Sequence, residues 1–345
     1  MAGFREIIGH EQIISHLKNA IATDKISHAY IFNGAENCGK RMLAEAFAMA
    51  LQCETLQERK ESAVDVLHAS SVEACMQCRS CKQALGKNQP DILYVTHDKP
   101  NTISVDDVRK QINADVAIKP YSSKYKVYIV DEAEKMNVQA QNALLKTIEE
   151  PPAYAVILLL TTNADAFLPT IRSRCITLEC KAVEDRKIRD YLMRQCQVPD
   201  YKADICVAFA QGNVGRAMML ATSEDFNELK DETLQLLRRI GGIAKYELLD
   251  EVKKLMEFKE GISDFLDLLV LWYRDVLLYK ATGQEDKFIF KDQSFELKQQ
   301  AMKSSYPGVQ KILEAIEKAK RRINANVNLE LTLELLLLTI KENVT

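Results

Sequence analysis

Four short, near-continuously apolar runs mark the first half of the chain: His28 to Asn33, Asp91 to Thr96, Lys126 to Asp131 and Ala155 to Thr161. Runs of this length without alternation fit strands buried on both faces. Between them, apolar positions recur at helical spacing over Glu11 to Thr23, Lys40 to Leu51, Val105 to Ala117 and Asn137 to Glu149, and Pro151 and Pro152 stop the last of these. Strands and helices in alternation predict a parallel sheet covered by helices up to about residue 175. From Val183 onward no strand pattern appears, and amphipathic helical segments follow one another to the C-terminus. The pattern predicts an α/β domain over residues 1–177, a small helical domain over 178–224 and a larger helical domain over 225–345. No Gly/Ser-rich spacer separates them, so close packing is expected.

Composition narrows the picture. Forty-six basic and 49 acidic side chains leave a net charge of -3, so no overall basic field marks a nucleic-acid or membrane binder. Eight prolines and 12 glycines among 345 residues are too few for a turn-rich β protein. The opening MAGFREIIGHEQ has no secretory pattern. Runs such as Val156 to Leu160 and Leu335 to Leu338 fall far short of the ~20 residues of a membrane span. A cytoplasmic protein without a membrane partner is expected. Nine cysteines form an odd set, and a reducing compartment makes a disulfide framework unfavourable. His10, His16, His28, His68 and His97 show no pairing that suggests a base or a metal cluster.

Gly34-Ala35-Glu36-Asn37-Cys38-Gly39-Lys40-Arg41 follows a predicted strand and opens a predicted helix, the setting of a phosphate-cradling P-loop. Gly34 and Gly39 would let backbone N–H groups approach phosphates, and Lys40 would supply the point charge. The last position should carry a hydroxyl for Mg²⁺ but is Arg41, which cannot ligate a metal. Nucleotide binding stays open, with the metal geometry for hydrolysis compromised. Val127 to Val130 ends in Asp131 and Glu132, positions that in P-loop proteins face the metal and the attacking water. Thr161-Thr162-Asn163 closes a third strand, where Asn163 is a candidate γ-phosphate sensor or simply a polar strand tip.

Cys53, Cys75, Cys78 and Cys81 supply four thiolates, enough for one tetrahedral structural Zn²⁺ site within a module spanning about residues 53–89. An iron–sulfur cluster and four unconnected thiols are the rival readings. Cys38 reads as a loop residue, and Cys175, Cys180, Cys196 and Cys206 as thiols with no evident partner spacing. Lys318, Lys320, Arg321 and Arg322 read as a solvated helix end ahead of an apolar helix from Leu329 to Ile340.

The segments HAYIFNGAENCGK, VYIVDEAEKMNVQAQNALLKTIEEPP, LLLTTNADAFLPTIRSRC and GNVGRAMML resemble the AAA+ clamp-loader family of bacterial DNA polymerase III, from about Phe4 to Ala221 and more loosely beyond. That resemblance implies an AAA+ P-loop domain with a zinc module, a small helical lid and a C-terminal helical collar that packs into a ring. It implies that Arg174, in Ser173-Arg174-Cys175, is an arginine finger reaching a neighbour's ATP, and that Arg216 is the second-sensor arginine. The implied partners are motor (gamma/tau) and delta subunits and, through the assembly, the sliding clamp and primer-template DNA. Motor subunits keep Gly-Lys-Thr or Gly-Lys-Ser, whereas delta prime subunits lose or alter it. Arg41 and the absence of a tau-like extension point to the delta prime branch, with no independent ATPase expected. Retained Lys40 and Asp131 are a departure toward the motor, which is the alternative. A stand-alone zinc-dependent nucleic-acid binder is disfavoured by the acidic balance.

Overall fold

The apolar runs become strands β1 (Ala29–Asn33), β2 (Ile92–Val95), β3 (Lys126–Val130) and β4 (Ala155–Thr161), and every residue of β3 and β4 is buried. The computed structural model describes residues 3–62, 68–97, 99, 101–325 and 327–344. Among them a fifth strand, β5 (Ile176–Glu179), adds to the edge; it is short and mostly open to solvent, so it carried little apolar signal. All pairings are parallel, in the order β2-β3-β4-β1-β5. The order reverses at β1, and in open α/β sheets the crevice beyond the carboxyl ends of the strands at such a switch point receives ligands.

The helices of this part are α1 (Glu11–Ala22), α2 (Lys40–Gln52), α3 (Glu54–Ser62), α4 (Arg79–Leu85), α5 (Val105–Val108), α6 (Val138–Glu149) and α7 (Pro169–Arg172). The expected helix from Val105 to Ala117 keeps α geometry only to Val108, then widens into a π turn over Arg109–Asn113. Asn137 caps α6 by accepting from Ala140 N–H, and the chain leaves the helix at Glu150, before the two prolines. One face of the sheet is covered by a core that includes Leu17, Phe47 and Met49, and the other by Ile112, Leu144 and Ile171.

The remaining helices are α8 (Asp185–Arg194), α9 (Asp200–Ala210), α10 (Val214–Thr222), α11 (Glu224–Arg239), α12 (Leu248–Glu257), α13 (Ile262–Thr282), α14 (Ser294–Lys303), α15 (Tyr306–Asn324) and α16 (Leu329–Val344). The chain divides into two compact units: residues 1–188 with 212–215, and residues 189–211 with 216–345. In the second unit Trp272 is fully buried, its ring centroid 5.7 Å from that of Phe290, and its indole N–H donates to Gln300 Oε1. Asp275 is buried beside them and accepts from Ile289 and Phe290 N–H at 2.7 and 3.1 Å, which pins the loop before α14. Lys320 of the basic cluster is bound to Asp267 at 2.8 Å, and so is less free than a solvated helix end. No helix among the described residues is long and apolar enough to cross a membrane.

Candidate functional site

Four buried residues and the half-buried Asn33 bring β1 to Gly34, and α2 starts at Lys40, so the intervening loop sits at the switch point with Asn37 (φ 58°) and Gly39 (φ 101°) in left-handed conformations. Lys40 Nζ bends back over the loop and donates to Gly34 O and Ala35 O, both at 2.7 Å. Two contacts that sequence reasoning missed hold the loop from outside. His10 Nε2 lies 2.8 Å from Cys38 O, and Asn213 Nδ2 donates to Glu36 O at 2.6 Å. Gly215 N–H also donates to Asn37 O, at 3.2 Å. A Cβ at Gly215 would stand 2.3 Å from that oxygen. Gly215→Ala is therefore expected to cost about 1–3 kcal/mol through overpacking, read as a lower Tm and faster amide exchange at Asn37 and Gly39. A cavity of about 220 Å³ beside the loop is lined by Gly9, His10, Glu179, Val183 and Lys187, among others.

Arg41 occupies the position of the missing hydroxyl. Its guanidinium bonds Glu45 Oε1 at 3.1 Å and Asp131 Oδ2 at 3.3 Å, and lies 5.7 Å from the ring centre of Tyr94. Tyr94 O–H donates to the same Glu45 oxygen at 3.3 Å, and burial together with that carboxylate pushes its pKa up. The acid at the tip of β3 is thus neutralised by an arginine. Glu132 turns away: its carboxylate meets Lys135 at 2.7 Å and His97 at 3.7 Å. Asn163 accepts from Asp165 N–H at 3.0 Å and caps a short helical turn. With no hydroxyl and with Asp131 paired, these residues do not fit a magnesium ion. Glu45 lies one helical turn from Arg41, a spacing that could have been read from the sequence; Tyr94, on another strand, could not.

Arg174 sits between α7 and β5. It binds Glu149 Oε1 at 3.0 Å and donates to Thr170 O at 3.1 Å. The register pairs Tyr30 with Ile176, which puts Arg174 level with His28 at the amino ends of the strands. Along the strand direction that is about 20 Å from the P-loop of its own chain. Arg216, in the second unit, is 3.6 Å from Asp264 and 3.8 Å from Asp267 of α13.

The ligand atoms of Cys53, Cys75, Cys78 and Cys81 all lie within 4.8 Å of one another. Cys53 ends α2 and Cys78 caps α4. Backbone N–H groups of Cys75, Cys78 and Cys81 donate to the sulfurs of Cys53, Cys75 and Cys78 at 3.3, 3.2 and 3.4 Å, and Met76 at φ 60° makes the tight turn between ligands. Donors aimed at sulfur stabilise thiolates and orient them for a metal. An ion about 2.3 Å from each of four tetrahedral sulfurs needs them about 3.8 Å apart, and Cys75 and Cys81 stand at 4.0 Å. The residues fit a structural zinc ion.

Sheet order, a P-loop after β1 and an acid-tipped β3 two strands away define an AAA+-type P-loop domain, here with a helical C-terminal region. Residues 9–184 match the family described as DNA polymerase III, delta subunit, and residues 227–342 the family described as DNA polymerase III, delta subunit, C terminal. Over 335 residues the chain is 30% identical to DNA polymerase III subunit delta' of Bacillus subtilis (strain 168), covering 96% of each protein. It is 31% identical over 304 residues to DNA polymerase III subunit tau of the same organism, covering 82% of this chain but 51% of that protein. A solved gamma subunit-related protein of Thermotoga maritima, 20% identical, aligns over 96% of this chain and 99% of its own at a TM-score of 0.45. The chain belongs to the DNA polymerase III clamp-loader subunits, in the delta prime-like branch.

Proposed function

We propose that this chain is the non-hydrolysing stator of a cytoplasmic clamp loader. It completes a ring with motor (gamma/tau) and delta subunits and presents Arg174 in trans to the neighbour's ATP, so that the ring loads the sliding clamp onto primed DNA. In this reading residues 178–224 are the lid and residues 225–345 the collar. The observation that carries it is the Arg41–Asp131 ion pair, which stands where a hydrolysing site needs a hydroxyl and a free carboxylate around Mg²⁺. The position of Arg174 at the amino ends of the strands supports the second half, because a finger acts on charge developing in another chain's site.

The isolated chain is expected to show no Mg²⁺-dependent ATP turnover, and Mg²⁺ is expected not to tighten nucleotide binding in titration calorimetry. Arg41→Thr frees Asp131 and should bring back a Mg²⁺ effect on binding. Mg²⁺-dependent turnover abolished by Lys40→Ala would instead make this chain a motor subunit, the reading that retained Lys40 favours.

A further inference from the structure

Cys38 and Cys180 are far apart in sequence and meet under the P-loop. Cys38 is buried in the loop, and Cys180 directly follows β5 with its N–H donating to Asn33 O at 2.7 Å. Gly34 separates them: a Cβ built there would lie 2.8 Å from Cys180 Cβ and 3.0 Å from Cys38 Sγ. Only a residue without a side chain lets the two cysteines close over the end of β1, where both are free thiols. The surroundings of Cys38 are electropositive. The Lys40 ammonium folds over the same loop onto Gly34 O and Ala35 O, and His10 holds the Cys38 carbonyl.

We propose that Cys38 and Cys180 are a redox-active dithiol, a modification site that reacts with a small peroxide and closes to a disulfide, stapling the P-loop to the end of β5. The hydrogen bond from Cys180, followed by the nearby lysine, holds the Cys38 thiol down at about 6, whereas Cys180 is pushed well above the usual thiol range. Cys38, in the loop over which the Lys40 ammonium folds, is the thiolate that attacks, and Cys180 the thiol that resolves. The Cys38 thiolate displaces hydroxide from the peroxide O–O bond, giving a sulfenic acid, and the hydroxide takes a proton to become water. Cys180 sulfur then attacks Cys38 Sγ and expels the hydroxyl as a second water, using the Cys180 proton. Two thiols are oxidised by two electrons and one hydrogen peroxide is reduced to two waters.

The bridge would act on more than the loop. Cys180 leads through Lys181 into Val183, whose N–H donates to Gly212 O at 2.8 Å, and residues 213 and 215 bond the P-loop carbonyls. The zinc cysteines begin at the opposite end of α2, roughly 20 Å away along its axis, so the two chemistries are separable by peptide mapping.

The test uses the full chain with its zinc bound. It is exposed to stoichiometric hydrogen peroxide at neutral pH, then alkylated, digested and analysed by mass spectrometry, with zinc content measured before and after. The expected product is a cross-linked peptide pair containing Cys38 and Cys180, two hydrogens lighter, reversed by dithiothreitol and formed while zinc is retained. In Cys180→Ser, Cys38 should instead stop at a sulfenic acid that dimedone traps. Linked peptides confined to the zinc cysteines, or Cys38 alkylated to the same extent with and without peroxide, would overturn the proposal.

Discussion

Replacing Arg174 with alanine is expected to lower hydrolysis at the one site it serves by about 10³-fold or more in a reconstituted loader, while leaving this chain folded. The two effects separate because the contacts Arg174 makes within its own chain are weak. It is half exposed, and its partner Glu149 is equally open. A surface pair of this kind contributes under about 1 kcal/mol. Its reach toward a neighbour is another matter, since a guanidinium beside the γ-phosphate in a dry site meets charge that grows only in the transition state. Total ATPase would fall much less than the single site, because other sites keep their own fingers. Clamp loading would fall further if all sites must act together. DNA-stimulated ATPase and clamp loading are measured together, with ring assembly and zinc content as controls for folding. Wild-type rates with normal assembly would make Arg174 a structural arginine.

Metal removal should have the second large effect. One zinc per chain is expected by metal analysis, and Cys81→Ser or a strong chelator should remove it and unfold the segment between α2 and β2. The reason is local. The α3 helix is rich in charge and buries little beyond Leu56, and among the described residues that follow, Val72, Ala74, Cys81 and Ala84 join the core with Cys75, Met76 and Cys78 packed against it. So small an apolar contribution cannot offset the entropy of ordering the segment. Apparent binding energies of about 10–16 kcal/mol for structural zinc can do so. Loss of protection in hydrogen exchange over residues 69–85, together with a lower Tm, would register the collapse. An iron–sulfur absorption band, or melting indifferent to the chelator, would refute the assignment.

The sheet was legible because its central strands are apolar without interruption, and Val156 to Leu160 cannot be solvated anywhere else. β5 escaped because an edge strand of four residues, with Thr177 and Glu179 facing water, carries no such signature. The P-loop segment and the four clustered cysteines were readable for a different reason: their chemistry is set by spacing along the chain. What spacing cannot express is a contact made by folding. Nothing near His10 announces a bond to Cys38 O, and nothing near Cys180 announces that Gly34 leaves room for it to meet Cys38. Arg41 lies between these cases. Its inability to hold magnesium follows from its identity, but its capture of Asp131 requires β3 to lie two strands away from β1 in the same sheet.

Arg174 stands at the amino ends of the strands and Arg41 at the carboxyl ends of the same parallel sheet, and that gives the chain a direction. Contacts between unlike faces propagate head to tail, into closed rings or open rows. An ordinary member of such a row lends an arginine on one side and borrows one on the other. Under the proposed stator role, a chain whose borrowing end is filled by its own ion pair would lend without borrowing, and so would mark the terminus of the row. An assembly built that way would have fewer firing sites than subunits, and the order of firing would have a fixed place to start or stop.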